Sequence, residues 1–484
     1  MKAIAHIAKI TARLLGYGSL GGLVAVVAVF VLHMERRPDL KIWHTADLDA
    51  EFTTDAPVRS FKDYLTLEDR LFDQLEKRVY ERLRPEDRHR LNRFSKNSLS
   101  DPKRWPTNWN RTFELPSESP TAGVLLVHGM SDSPYSLRTI GLRLNAEGVW
   151  VVGLRLPGHG TAPAGLVRVT WEDMAAAVLL AVRHLYEKID ERPLAIVGYS
   201  TGGALGVHYA LTTLKDPHLP KIDRLVLVSP SIGVTPIAVL ASWQARLGRL
   251  LGADKLAWNS ILPEYDPFKY GSFAVNAGAQ VYRLTTRIQS QLTSLAQGAA
   301  LDRFPSMLAF QSVVDATVST RAVVDGLFLK LPPGNHELVL FDINRNTGIE
   351  QMMTSEPLMQ ISDLVADTIL PFRYSFVTNE SRQSQFVVVR RKEAQSNNIV
   401  EEPLGLKWPE RLYSLSHIAL PFPADDSLYG LQAGGNESDL HLGKMALRGE
   451  RGLLQIPDSD MLRLRSNPFY AYLERRVLEF LRKE

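Results

Sequence analysis

Short apolar runs alternate with amphipathic helical stretches between residues 119 and 231. Four runs have the length and composition of buried strands: GVLLVHG, VWVVGLRL, PLAIVGYS and IDRLVLVSP. Two stretches between them have helical spacing: WEDMAAAVLLAVRHLYEKI and GALGVHYALTTL. Strands that alternate with helices imply βαβ units and a mostly parallel sheet. The pattern therefore predicts an α/β fold in which helices flank the sheet.

The alternation continues towards the end of the chain, so we assign residues 119–484 to one domain. Helical stretches interrupt it at about 232–300, which we interpret as a cap insertion. Trp243 and Trp258 in this insertion are candidates either for the wall of an acyl pocket or for ordinary core. The strands SMLAFQS and ELVLFDI, with a helix near 320–331 between them, then resume the pattern.

A second excursion covers about 346–408. A helical stretch around 357–369 precedes RYSFV and QFVVV, two alternating runs separated by the turn-like TNESRQS, and this arrangement predicts a β-hairpin. The run RLYSL is predicted as a further strand. Apolar residues at helical spacing between 468 and 481 predict a closing helix that packs on the sheet.

The N-terminus carries a run of nineteen uncharged residues at 14–32, LLGYGSLGGLVAVVAVFVL. As a helix that rises about 1.5 Å per residue, it would span roughly 28 Å, close to the hydrocarbon thickness of about 30 Å. The run ends in FVLHMERR, without the small-x-small site at which a secretory signal is cleaved. We predict a transmembrane anchor over 1–33 and a juxtamembrane segment and linker over 34–118, with a cleaved signal peptide as the alternative.

The orientation of this anchor depends on the basic residues at its two ends. Three Lys or Arg residues precede the run, and Arg36, Arg37 and Lys41 follow it, so the charges are nearly balanced. We take the N-terminus as inside, which places the remaining domain on the outer or periplasmic face.

Composition excludes several classes of function. Fifty-six Lys and Arg against fifty-three Asp and Glu give a net charge of +3 without a long block of one sign, so no nucleic-acid partner is indicated. The absence of cysteine excludes disulfides, thiolate metal sites and a cysteine nucleophile. His128 and His159 lie in Gly-rich turns without a carboxylate at ligand spacing, so we expect neither a metal nor a cofactor.

The motif that carries chemistry is Gly198-Tyr199-Ser200-Thr201-Gly202, of the form G-x-S-x-G. It follows the apolar run PLAIV and opens a helical stretch, the strand, tight turn and helix of a nucleophile elbow. A serine nucleophile needs a base, and the anion formed on the attacked carbonyl needs hydrogen-bond donors. We assign these donors to the amide of Thr201 and to the amide of Met130 in GVLLVHGM.

Four segments, in this order and spacing, resemble the α/β-hydrolase superfamily: VLLVHGMSDSPYSLR, GLRLPGHGT, WEDM and GYSTGG. They are most similar to its carboxylesterase, monoacylglycerol lipase, lysophospholipase and serine aminopeptidase branch. The resemblance covers roughly 120–344 and 410–484. It implies a catalytic triad in the order Ser, acid, His, and an acid that follows a strand after the cap.

Asp315 lies just beyond the strand SMLAFQS and matches the family position of the acid, with Asp342 at the end of the next strand as the alternative. The resemblance implies a base after the last sheet strand, but ELVLFDI ends without a histidine. Of the histidines beyond Asp315, His336 begins a strand at the wrong edge of a parallel sheet, and His441 has no strand before it. His417, 102 residues after Asp315, follows RLYSL and is our predicted base.

Together these residues predict a membrane-anchored serine hydrolase that cleaves carboxylic esters through an acyl-enzyme intermediate. Ser200 would attack, His417 would transfer the proton, and Asp315 would orient the imidazole. An anchor near a bilayer favours acyl lipids of the monoglyceride or lysophospholipid type as substrates. A peptidase or amidase with the same triad and a non-catalytic binding domain on a membrane tether are the alternatives, and the sequence indicates no oligomeric state.

Overall fold

The computed structural model describes residues 34–233, 254–353, 369–432, 440–445 and 453–482, with a few more between 17 and 29. Its strands are β1 Phe113–Leu115, β2 Gly123–Val127, β3 Trp150–Leu154, β4 Leu194–Tyr199, β5 Arg224–Val228, β6 Trp258–Ser260, β7 Phe273–Ala274, β8 Ser306–Ser312, β9 His336–Phe341, β10 Arg373–Asn379, β11 Phe386–Lys392 and β12 Ile399–Lys407. Its α-helices are α1 Ile42–Thr45, α2 Phe61–Leu75, α3 Arg138–Ala146, α4 Trp171–Ile189, α5 Thr201–Thr213, α6 Val275–Leu295, α7 Thr320–Gly326, α8 Asp458–Met461 and α9 Tyr470–Arg482.

Ten of these strands form one sheet in the order β1-β3-β2-β4-β5-β8-β9-β10-β11-β12. The strands from β3 to β10 are parallel to their neighbours, and only the pairs β1–β3, β10–β11 and β11–β12 are antiparallel. Every residue of β2, β4 and β9 is buried, as expected for strands with helices on both faces. The predicted α/β fold with a mostly parallel sheet is therefore confirmed.

Two helical layers cover the sheet. Apolar residues of α4, α5 and α6 form one core cluster with the side chains of one sheet face, and α3 and α9 pack on the other face. Because β4, β5 and β8 run in the same direction, their carboxyl ends meet at one edge of the sheet, where ligands of open α/β sheets bind.

Part of the predicted cap insertion at about 232–300 belongs to the core of the domain. Helix α6 has Leu284, Ile288 and Leu292 in the same core cluster as the sheet, so it belongs to the helical layer rather than to a cap. Trp258 is buried and packs edge-on against the His44 ring with centroids 4.8 Å apart, which makes it a core residue. Trp243 lies outside the described residues.

The segment 34–112, which the sequence predicts as part of a linker, packs closely on the domain in the structure. Phe52, Phe61 and Tyr64 are buried in the main core cluster. Arg155, which is 1% exposed, pairs with Glu51 at 3.0 Å and with Glu68 at 2.9 Å. A buried charge needs such partners, so the segment completes the domain rather than connecting to it.

The excursion at 346–408 contains the predicted hairpin as β10 and β11, and both strands extend the main sheet. The edge strand β12 was not predicted, since most of its side chains are exposed and it lacks an apolar alternation. The prediction of a strand at RLYSL, residues 411–415, is wrong: this stretch is irregular in the structure. The predicted helix around 357–369 lies almost entirely outside the described residues.

Most of the predicted membrane anchor at 14–32 also lies outside the described residues. Among the residues that the structure does describe, none of the helices combines the length and the apolar character that crossing a membrane requires.

Candidate active site

Ser200 occupies a sharp turn between β4 and α5. Its backbone has φ 53° and ψ −115°, a conformation that is strained for a residue with a side chain, as at a nucleophile elbow. The two glycines of the motif are required by close backbone contacts. A Cβ atom at Gly202 would lie 2.0 Å from the carbonyl oxygen of Val127, and one at Gly198 would lie 2.5 Å from the carbonyl oxygen of Gly202.

Asp315 and His417 are brought together at the same edge of the sheet. The Nδ1 atom of His417 lies 2.8 Å from Oδ2 of Asp315, and both side chains are almost fully buried. The other carboxylate oxygen accepts hydrogen bonds from the amides of Thr317 at 2.8 Å and Val318 at 2.9 Å. Burial opposes ionisation, but the His417 imidazole and these amides outweigh it and hold the pKa of Asp315 below its usual value.

The segment before His417 reaches this edge without forming a strand. The amide of Asn344 donates to the carbonyl of Tyr413 at 2.7 Å, and the Ser312 hydroxyl donates to the carbonyl of Leu415 at 2.9 Å. Ser312 ends β8 and Asn344 follows β9, so the returning chain crosses the carboxyl ends of these two strands. Through this path, the chain that leaves β10, β11 and β12 returns to the edge where His417 contacts Asp315.

The alternative acid and bases are placed elsewhere. Asp342 pairs with Arg345 at 3.0 Å and accepts a hydrogen bond from Thr378 at 2.7 Å. His336 begins β9 and therefore lies at the sheet edge opposite Ser200. Burial lowers its pKa to about 4. His441 contacts the carbonyl of Ser427 at 3.2 Å.

The two predicted oxyanion donors flank Ser200. Thr201 follows it directly, and a Cβ atom placed on Gly129, the neighbour of Met130, would lie 3.0 Å from Cβ of Ser200. Neither the Met130 nor the Thr201 amide donates to a protein acceptor within the described part of the chain. Unpaired amides beside Ser200 would be able to donate to an oxyanion formed there.

Ser231 is a neighbour of Ser200 that the sequence analysis did not predict. Its hydroxyl oxygen lies 3.2 Å from that of Ser200, and its amide donates to the Ser200 carbonyl at 3.0 Å. Within the described ranges it is the only side-chain partner of the Ser200 hydroxyl. Ser231 lies three residues after β5, whose carboxyl end adjoins that of β4, and only this strand adjacency could have suggested the contact.

His128 and His159 hold two loops together. The Nε2 atom of His128 accepts a hydrogen bond from the Leu156 amide at 3.0 Å, and its Nδ1 lies 2.8 Å from the carbonyl of Gly129. Burial lowers the pKa of His159 to about 4 and that of His128 well below its usual value. The residues that the structure describes contain no group of three or more side chains able to hold a metal.

Two sequence comparisons find similar proteins. The family described as serine aminopeptidase, S33, matches residues 118–324, a range that includes Ser200 and Asp315 but not His417. A thermostable monoacylglycerol lipase of Bacillus sp. (strain H-257) is 25% identical over 228 residues, which are 47% of this chain and 79% of that protein.

Solved structures give weaker matches. One from a study of the metagenome-derived lipolytic enzymes LipS and LipT is 20% identical, covers 53% of this chain and 96% of its own, and has a TM-score of 0.37. A monoacylglycerol lipase of Paleococcus ferrophilus is also 20% identical, covers 48% and 88%, and has a TM-score of 0.36.

Proposed function

The chain belongs to the α/β-hydrolase superfamily, and we propose that it is a serine hydrolase that cleaves carboxylic esters through an acyl-enzyme at Ser200. The observation that carries this proposal is the Asp315–His417 pair at 2.8 Å, on the same sheet edge as the strained turn of Ser200. Of the relatives, the monoacylglycerol lipase supports ester substrates.

The proposed reaction uses groups of the protein alone. Because Nδ1 of His417 donates to Asp315, its Nε2 atom is left as the acceptor for the Ser200 proton. Ser200 Oγ attacks the ester carbonyl carbon, and the amides of Met130 and Thr201 stabilise the resulting oxyanion. Collapse of this intermediate expels the alcohol, which takes the proton from His417. Water then attacks the acyl-enzyme by the same steps, releasing the acid and restoring Ser200.

We propose acyl lipids with one chain, of the monoglyceride or lysophospholipid type, as substrates. Amide substrates are the second candidate, since the matching family is described as a serine aminopeptidase. The test is competition for labelling of the protein by a fluorophosphonate probe, with monoacylglycerols, lysophospholipids and peptide amides as competitors. We expect the esters to protect the serine and to be hydrolysed. Protection and turnover by the peptide amides alone would establish a peptidase instead.

We further propose that residues 14–32 anchor the protein in a membrane, with the N-terminus inside and the domain on the outer or periplasmic face. The nineteen uncharged residues support this anchor. Just after them, Arg37 donates to the carbonyls of Lys255 at 2.9 Å and Trp258 at 2.6 Å, so the chain attaches to the domain directly.

The anchor predicts a difference between two forms of the protein. The full chain should remain in the membrane pellet after a carbonate wash, because peripheral proteins are released by this treatment. A chain that begins at Met34 keeps Arg37 and its contacts, and we expect it to be recovered in the supernatant with esterase activity. Recovery of a shortened, soluble product from cells that express the full chain would establish a cleaved signal peptide.

A further inference from the structure

A half-buried lysine contacts the segments around the proposed oxyanion donors, Ser200 and His417. Lys269 lies in the loop between β6 and β7, and its side chain is 17% exposed. Its ammonium nitrogen is 3.5 Å from Oδ2 of Asp132. The ring centroids of three aromatic residues lie within 6 Å of the same nitrogen: Phe422 at 4.8 Å, Tyr429 at 5.4 Å and Tyr199 at 5.7 Å. A cation at these distances is attracted to the ring faces.

The neighbours of Lys269 adjoin the catalytic residues in the chain. Asp132 is two residues after Met130, whose amide is a proposed oxyanion donor. Tyr199 precedes Ser200, and its hydroxyl donates to the carbonyl of His417 at 3.4 Å. Phe422 lies five residues after His417. A single ammonium group therefore contacts three segments: the oxyanion loop (128–133), the elbow (198–202) and the histidine loop (416–429).

The loop that carries Lys269 is held firmly against the oxyanion loop. The amide of Tyr270 donates to the carbonyl of Ser131 at 2.8 Å, so two consecutive residues of one loop contact two consecutive residues of the other. The Lys269 amide donates to Asp266 at 3.1 Å, and its carbonyl accepts a hydrogen bond from Arg93 at 3.2 Å. These bonds fix the backbone from which the ammonium reaches Asp132.

Lys269 is the charged partner of Asp132, whose other oxygen, Oδ1, accepts a hydrogen bond from the Ser133 amide at 2.9 Å. The side chain of Asp132 is 3% exposed, and its Oδ2 atom has no hydrogen-bond donor among the described residues. Burial raises the pKa of Asp132 to about 6, and Lys269 opposes that rise. A buried carboxylate that loses its charged partner is strongly unfavourable and drives rearrangement or protonation of its loop.

We propose that Lys269 is a positioning residue that holds the oxyanion loop, through Asp132, in register with the elbow and the histidine loop. This inference rests on the proposed function of Ser200 and His417. It assigns Lys269 no contact with substrate: the residue acts through the position of the Met130 amide. Displacement of a catalytic group by about 1 Å can reduce turnover about 100-fold.

The test compares Lys269→Met and Lys269→Arg with the wild-type chain, using a soluble p-nitrophenyl ester. We expect Lys269→Met to lower kcat about 10- to 100-fold with KM within about two-fold, since the lost interaction is made in the transition state. Affinity for a trifluoromethyl ketone inhibitor should fall in parallel, because its adduct places an oxyanion on the same amides. Lys269→Arg should restore most of the activity.

Two further variants separate positioning from stability. Lys255→Met is the matched control, because this lysine is 23% exposed and pairs with Asp39 away from the catalytic loops, and its kcat should be unchanged. Asp132→Asn combined with Lys269→Met should be no worse than Lys269→Met alone, since the carboxylate that needed the cation is gone.

The proposal fails if Lys269→Met keeps the wild-type kcat. It also fails if the decrease in kcat only equals the decrease in the fraction of protein whose serine reacts with the fluorophosphonate probe. Wild-type protein without ester hydrolysis or labelling would instead refute the proposed function, and this inference with it. The two failures are distinguished by the wild-type measurement.

Discussion

Replacement of Ser200 with alanine is expected to abolish ester hydrolysis and fluorophosphonate labelling while the fold stays intact. Alanine also has a Cβ atom, so the strain at φ 53° is the same in both proteins. The hydroxyl contributes one contact, to Ser231 at 3.2 Å, and its loss costs little stability. Without a nucleophile, kcat should fall by about 10⁶-fold, the scale observed when the serine of another serine hydrolase is removed.

Ser231→Ala is the matched control for this experiment, since it removes the neighbouring hydroxyl and leaves the proposed nucleophile. It should still react with the probe. Thermal unfolding of all three proteins, measured beside activity, shows whether a lost rate reflects lost structure. Substantial labelling of the Ser200→Ala variant would contradict the assignment of the nucleophile.

Replacement of His417 with alanine is expected to lower kcat by about 10⁵- to 10⁶-fold, because an unactivated serine keeps only the contributions of binding and of the oxyanion donors. His336→Ala is its control. Both histidines are buried, but His336 begins β9 at the edge opposite Ser200 and should be nearly neutral for turnover. The esterase rates of the two variants, each corrected for folded protein, provide the measurement.

The opposite outcome is informative as well. Activity that is lost in His336→Ala and kept in His417→Ala would mean that residues 346–408 form an appendage. The base would then have to be sought again among the other histidines.

Local sequence patterns predict the positions of the site residues that lie at the ends of strands, Ser200 and Asp315. Ser200 directly follows the buried strand β4, and Asp315 lies three residues after the end of the buried strand β8. Parallel strands place their carboxyl ends at one edge of the sheet. Asp315 needed the family resemblance as well, because Asp342 also follows a strand. The contacts that occupy Asp342, an ion pair with Arg345 and a hydrogen bond from Thr378, are visible only in the structure.

Other features depend on contacts between distant parts of the chain. The segment RLYSL resembles a strand, yet its backbone bonds to Ser312 and to the loop after β9 rather than to a neighbouring strand. The polar sequence of 34–112 does not indicate that this segment packs into the domain. Its charged residues are paired with distant partners, as Glu68 is with Arg155, 87 residues further along the chain. The local sequence does not distinguish Lys269 from a surface lysine, because the residues around its ammonium group come from three other segments of the chain.

The central claim is that Ser200 forms the acyl-enzyme, and mass spectrometry of the labelled protein tests it most directly. The full chain is treated with a fluorophosphonate, digested, and the modified residue is mapped by fragmentation. We predict one adduct per chain, located on Ser200, and its loss after prior incubation with a slowly hydrolysed ester. An adduct on Ser231 or on another residue, or the absence of any adduct in folded protein, would contradict the account.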